Sequence, residues 1–157
     1  MINRYSLADY TLAVKVPAAI TGVEIDSLKF GGTGNNQSGS FVGQITIARN
    51  ADTWSTEGDV TGSWVHNKSL NRTGTVSLQI RQVSDDVIKL ITLARLYENN
   101  DPEEGCSITI YRGDKIIETC TDCYLTKVPD QVMGDTAEMQ TWQWTCGKIE
   151  YNESTTF

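Results

Sequence analysis

A single histidine, His66, would have to serve any imidazole-based acid–base chemistry this chain performs. It sits beside Asn67 and Lys68, and the chain has no Gly-x-Ser-x-Gly or comparable nucleophile turn. A loop or interface histidine is the better reading, and no enzyme is expected. Basic residues are also scarce: 13 Lys and Arg against 20 Asp and Glu give a net charge of −7 and a pI near 4.6. The densest basic stretch, Lys68 to Arg72, carries only those two charges. A groove that grips nucleic acid needs clustered cations to displace counterions, so the composition disfavours sequence-specific DNA or RNA binding. Long apolar runs are missing too. Crossing a bilayer takes roughly 18 or more consecutive apolar residues, and no window approaches that. The N-terminal stretch lacks a cleavage-like region, so the product is expected to stay in the cytoplasm that makes it.

Metal and phosphate motifs are incomplete. Cys120 and Cys123 have the two-residue spacing of a zinc knuckle, yet no second pair or Cys-x-x-His completes it. Thr121 and Asp122 read as mid-strand, which would send the two thiols to opposite faces. With Cys106 and Cys146 they are expected to be reduced, packed side chains. "GGTGNNQSG" is not followed by Lys-Ser/Thr or by a helix, so the amide cradle of a phosphate loop is absent. Asp52, Glu57 and Asp59 do not fit a calcium loop. Neither metal nor cofactor is expected.

What is present is strand periodicity. In "TVSLQIR", Val76, Leu78 and Ile80 share one face; Thr73, Thr75, Ser77, Gln79 and Arg81 share the other. Phe41 to Asn50 alternates likewise, with Phe41, Ile45 and Ile47 opposed to Gln44, Thr46 and Asn50. A period of two with one apolar face describes antiparallel sheet covering a core on one side. "TLAVKV" and "CSITIYR" behave similarly, and Gly113-Asp114 turns the latter into "KIIETCTDCYLTKV". The last strand places Trp142, Trp144 and Cys146 together. One helix interrupts. Ser84 is placed to cap it, Asp85 and Asp86 suit its positive end, and Val87, Leu90, Ile91, Ala94 and Tyr97 form its buried stripe. Asn99 to Pro102 ends it. Six or seven strands and one helix predict a single mainly β domain over residues 1–157. Its fold class is two packed antiparallel sheets, a flattened barrel or sandwich, with one flanking α-helix.

Two segments exceed what a compact fold requires. Residues 30–40, "FGGTGNNQSGS", read as a flexible Gly-rich loop. Residues 51–71 join the two best strands by a loop far longer than a hairpin needs. It carries Trp54 and Trp64, and loop aromatics favour contact surfaces.

"GDVTGSWVHNKSLNRTGTVSLQIRQVSDDVIKLI", Gly58 to Ile91, resembles the tail tube proteins of contractile-tailed bacteriophages. In that family a Gly/Asp-rich loop and an Asn–Lys/Arg–Ser/Thr–Gly-Thr-Val turn lead into a Thr/Leu-alternating strand and then a helix. "YSLADYTLAVKV", "GSFVGQITIARNADTWS" and "WQWTC" match in the same order, so the likeness covers most of the chain. The longer "GGTGNNQSGS" insertion departs from it.

The resemblance implies a structural subunit of the virion tail, assembled in the host cytoplasm. Six copies would close a ring by pairing sheet edges, and rings would stack into a hollow tube inside a contractile sheath. Implied partners are further copies of itself, the sheath protein, the tail terminator and the baseplate hub. DNA would pass through the lumen without specific binding, and no membrane is involved. Thr73, Thr75, Ser77 and Gln79 are then candidate lumen residues. Trp54, Glu57, Asp59, Trp64, His66 and Lys68 are candidate ring-stacking residues. Two alternatives stay open: the tube of a phage-derived bacteriocin or secretion needle, and a monomeric ligand-binding β-barrel with Trp142 and Trp144 in its pocket.

Overall fold

The computed structural model describes residues 6, 9–17, 27–31, 42–82, 86–99 and 103–152. Its elements are β1 (Tyr10–Lys15), β2 (Ser27–Gly31), β3 (Val42–Arg49), β4 (Trp54–Gly58), β5 (Trp64–Lys68), β6 (Gly74–Arg81), α1 (Asp86–Asn99), β7 (Cys106–Arg112), β8 (Lys115–Leu125) and β9 (Met139–Tyr151). Seven strands form one antiparallel sheet in the order β2-β1-β7-β8-β9-β6-β3, and β4 and β5 pair separately. The mainly β class with one helix matches the expectation.

Alternation drives the core. In β6, Val76, Leu78 and Ile80 are fully buried between half-buried polar neighbours. Along β9, Gln140, Trp142, Trp144 and Cys146 are buried while the residues between them are exposed. Residues from both ends of the strand order, Phe30 of β2 and the partly buried Ile45 and Ile47 of β3, belong to the same apolar cluster. Among the described residues a single helix of 14 residues is too small to cover so wide a flat face, so the sheet curls around its own core. Each buried indole withdraws roughly 200 Å² from water, worth about 5 kcal/mol at 25 cal/mol per Å². That outweighs the penalty of about 1–3 kcal/mol for each indole N–H, neither of which finds a partner among the described residues.

The curl comes with bulges. Relative to β7, β8 carries an extra residue twice, between the pairs Cys106/Cys123 and Ile108/Cys120 and again between Ile110/Glu118 and Tyr111/Ile116. A bulge bends its strand and resets which face each side chain occupies. Ile117 and Glu118 are consequently both buried. Asp122 takes a left-handed conformation, φ 57°, and its Oδ1 accepts from the Gly105 N–H at 3.1 Å.

Several expectations need correction. Cys120 and Cys123 do not diverge: both point into the core, because the extra residue at Asp122 restores the same facing after three positions. Residues 51–71 are not an irregular loop, since β4 and β5 form a hairpin within them. Phe30 and Gly31 do not belong to a Gly-rich loop; they finish β2, with Leu28 and Phe30 buried in the period-two pattern of "SLKFG". The remainder of that loop (32–40), Phe41, the Ser84 cap with Asp85, and 100–102 lie outside the described residues. In α1, Val87, Leu90 and Ala94 are buried as expected, and Leu93 joins them.

Candidate assembly surfaces

The β4–β5 hairpin projects from the Arg49/Gly74 end of β3 and β6, and every residue of both its strands is exposed. Its turn is organised by Asp59, whose Oδ1 accepts from the Thr61 N–H at 2.9 Å, the Thr61 hydroxyl at 2.6 Å and the Ser63 N–H at 3.0 Å. Hydrogen bonding, led by the Thr61 hydroxyl, holds this carboxyl below the ordinary carboxylate range. Gly62 supplies the left-handed residue the turn requires, φ 87°. Register then sorts the candidate residues. Trp54 faces Lys68, Thr56 faces His66 and Gly58 faces Trp64, so Trp54, Trp64, His66 and Lys68 share one face.

On that face the Lys68 ammonium lies 5.7 Å from the Trp54 ring centre, and His66 Nδ1 is 2.8 Å from the Thr56 hydroxyl. Trp54 and Trp64 are 60% and 70% exposed, far more than an indole in a folded monomer usually is. Glu57 stands on the opposite face beside Val65, and Asp59 is committed to the turn. The sequence signal for this hairpin was present in "GDVTGS", but its short strands are exposed on both faces and show no alternation.

A second surface lies on the outward side of β3, β6 and β9. Gln79 is flanked by Gln44 and Thr141, Ser77 by Thr46 and Gln143, and Thr75 by Ala48 and Thr145. These nine positions carry no charge and none is buried. Thr73 stands just before β6, its N–H and hydroxyl both donating to Asn71 Oδ1. The outward residues of β3 and β9 obey the same alternation as Thr75, Ser77 and Gln79. Only the strand order places them side by side.

The third feature is the pair of sheet edges. Among the described residues, β2 and β3 each have a strand on one side only. Exposed edges of this kind invite pairing with another chain. Trp142 and Trp144, by contrast, are 0% exposed within the core cluster and line no open pocket.

Comparison with known proteins agrees with this architecture. The chain is similar to a protein of the sheath–tube complex of an extracellular contractile injection system, PVC, in its extended state. They share a TM-score of 0.54 and 10% identity over 95% of this chain and 91% of that one. It is also similar to a protein of the PVC sheath/tube terminator in the extended state, with TM-score 0.52 and 12% identity over 96% and 98%. At these identities the likeness is one of fold. No curated protein matches the sequence. The chain belongs to the bacteriophage PhiTE tail tube protein family, whose model matches residues 7–152.

Proposed function

We propose that six copies of this tail tube protein close into a ring by pairing the outer edge of β3 with the outer edge of β2 on the next copy. Rings stack into a hollow tube within a contractile sheath, through which the genome is delivered. The observation that supports the reading is the seven-stranded sheet whose terminal strands β2 and β3 each have a strand on one side only among the described residues, since ring closure would cover both aggregation-prone rims at once. The uncharged Thr/Ser/Gln surface, including Thr75, Ser77 and Gln79, faces the lumen, where it neither grips phosphate nor repels it strongly. The β4–β5 hairpin reaches the neighbouring ring with Trp54 and Trp64 as anchors. Sheath, terminator and baseplate hub are the remaining partners, and assembly takes place in the host cytoplasm.

Negative-stain electron microscopy of the purified protein tests this. Rings with six-fold symmetry and tubes built from them are expected; a chain that stays monomeric at every concentration sinks the reading. Deleting residues 54–68 should abolish long tubes while leaving the main sheet folded. A second reading, a tube that carries no DNA, draws on the injection-system proteins of similar fold. Capsid and terminase genes beside the coding gene decide for the phage.

A further inference from the structure

Among the described residues ten large apolar side chains are exposed, and their placement is uneven. Trp54, Val60, Trp64, Val65 and Leu70 belong to the hairpin and the turn that follows it. Tyr151 is at the same end, where the Arg49 guanidinium lies 4.7 Å from its ring centre. Met139, the first residue of β9, is at the other end, and Val132 and Met133 lie in the β8–β9 connection that leads into it. Only Ile88, on the helix, falls elsewhere. The two ends are opposite by register: Gly74 pairs with Arg49 and Cys146 next to the hairpin, and Arg81 pairs with Met139 at the far side. The seven steps from Gly74 to Arg81 along β6 separate them by about 23 Å at 3.3 Å per residue.

The β8–β9 connection is held in place where it meets the sheet. The Gln82 N–H donates to the Glu138 carbonyl at 2.9 Å, and Arg81 Nη1 donates to the Ala137 carbonyl at 3.3 Å. At its other limit the Thr126 N–H donates to the Gln143 carbonyl, and its hydroxyl pairs with that of Thr145, both at 2.9 Å. A tethered segment therefore presents Met133 at 91% exposure. A side chain so apolar and so open, on backbone fixed at both ends, is placed for contact.

We infer that the β8–β9 connection, centred on Val132 and Met133, is the surface on which the hairpin of a second copy docks. Two different patches at opposite ends of the same strands make a heterologous contact, and such a contact repeats head to tail without limit. The chemistry matches. A thioether packs favourably against indole edges, and methionine adapts its shape to an aromatic anchor. The inference rests on the stacked-ring reading and adds its missing half: which part of the next copy receives Trp54 and Trp64.

Two measurements on the full chain test it. First, the Met133→Glu variant should still form rings but lose at least about tenfold of its pelletable tube, because a carboxylate would be buried against indole at every stacking contact. Ile88→Glu, at the exposed apolar site away from both ends, should assemble like wild type. Second, a benzophenone-bearing phenylalanine placed at position 64 should, on illumination, cross-link to the peptide spanning 126–139 of another copy. Cross-links confined to the hairpin or to other strands overturn the inference, as do normal tubes from Met133→Glu. Failure of the wild-type chain to form rings would instead bring down the stacked-ring reading beneath it, and the docking with it.

Discussion

The Arg49 guanidinium reaches across β6 and donates from Nη2 to the Ile149 carbonyl on β9 at 2.7 Å. Two strands are thereby tied over the start of a third. Gly74 stands between these strands in the ladder, pairing with Arg49 on one side and Cys146 on the other.

Gly74→Ala is therefore expected to destabilise the chain by about 3 kcal/mol, as overpacking against backbone does. An added Cβ would meet the Ala48 carbonyl oxygen and the Ile149 Cδ1. Gly134→Ala, where a Cβ meets nothing within 4 Å, should stay within about 0.5 kcal/mol. Denaturant titration of the two variants measures the contrast, and equal midpoints would refute the close approach.

Glu118 gives a pH-dependent prediction. Its side chain is 5% exposed, and Oε2 finds no hydrogen-bond partner among the described residues. Burial raises its pKa above the ordinary 4.5, and the Arg49 charge only partly offsets this. The folded chain thus holds this proton more tightly than the unfolded one. Folding is penalised at pH above the folded-state value, and the penalty vanishes below 4.5. Glu118→Gln should raise Tm by a few degrees at pH 7, with the gain shrinking as the pH is lowered toward 4.5. A gain that grows on acidification would contradict this.

The four cysteines should be nearly inert in the native protein. All are free and buried, with Cys123 Sγ donating to Cys146 Sγ at 2.9 Å. Burial raises the Cys106 thiol, partly offset by the Tyr97 hydrogen bond. Hydrogen bonding to Cys146, followed by burial, raises that of Cys120. The Cys120 hydrogen bond is the largest single influence on Cys146 and lowers it, but the Cys123 hydrogen bond, burial and the Cys123 charge together push it up to about 12. Thiolate is the reactive form, so alkylation by iodoacetamide at pH 8 should be at least about 100-fold slower than in denaturant, where all four react. Mass spectrometry of timed samples reads the difference.

Gln79→Lys probes the proposed lumen. The side chain lies on the outward, uncharged face, so stability should change by less than about 0.5 kcal/mol. Six added cations around a channel would hold DNA phosphate, and genome delivery should slow. Particles that infect at the normal rate would remove Gln79 from the lumen.

Periodicity alone determined much of this protein. Val76, Leu78 and Ile80 against Thr75, Ser77 and Gln79, the Trp142/Trp144/Cys146 face, and the stripe of α1 follow from one apolar core that every element must cover. Tertiary structure decided what depends on strands distant in sequence. Cys120 and Cys123 converge because a bulge against β7 inserts a residue, and a bulge has no period to read. The uncharged surface spans three strands because β6 lies between β3 and β9, a choice made by long-range pairing. The hairpin escaped the pattern for the opposite reason: with both faces in solvent, no core imposes alternation on Trp54–Gly58 or Trp64–Lys68.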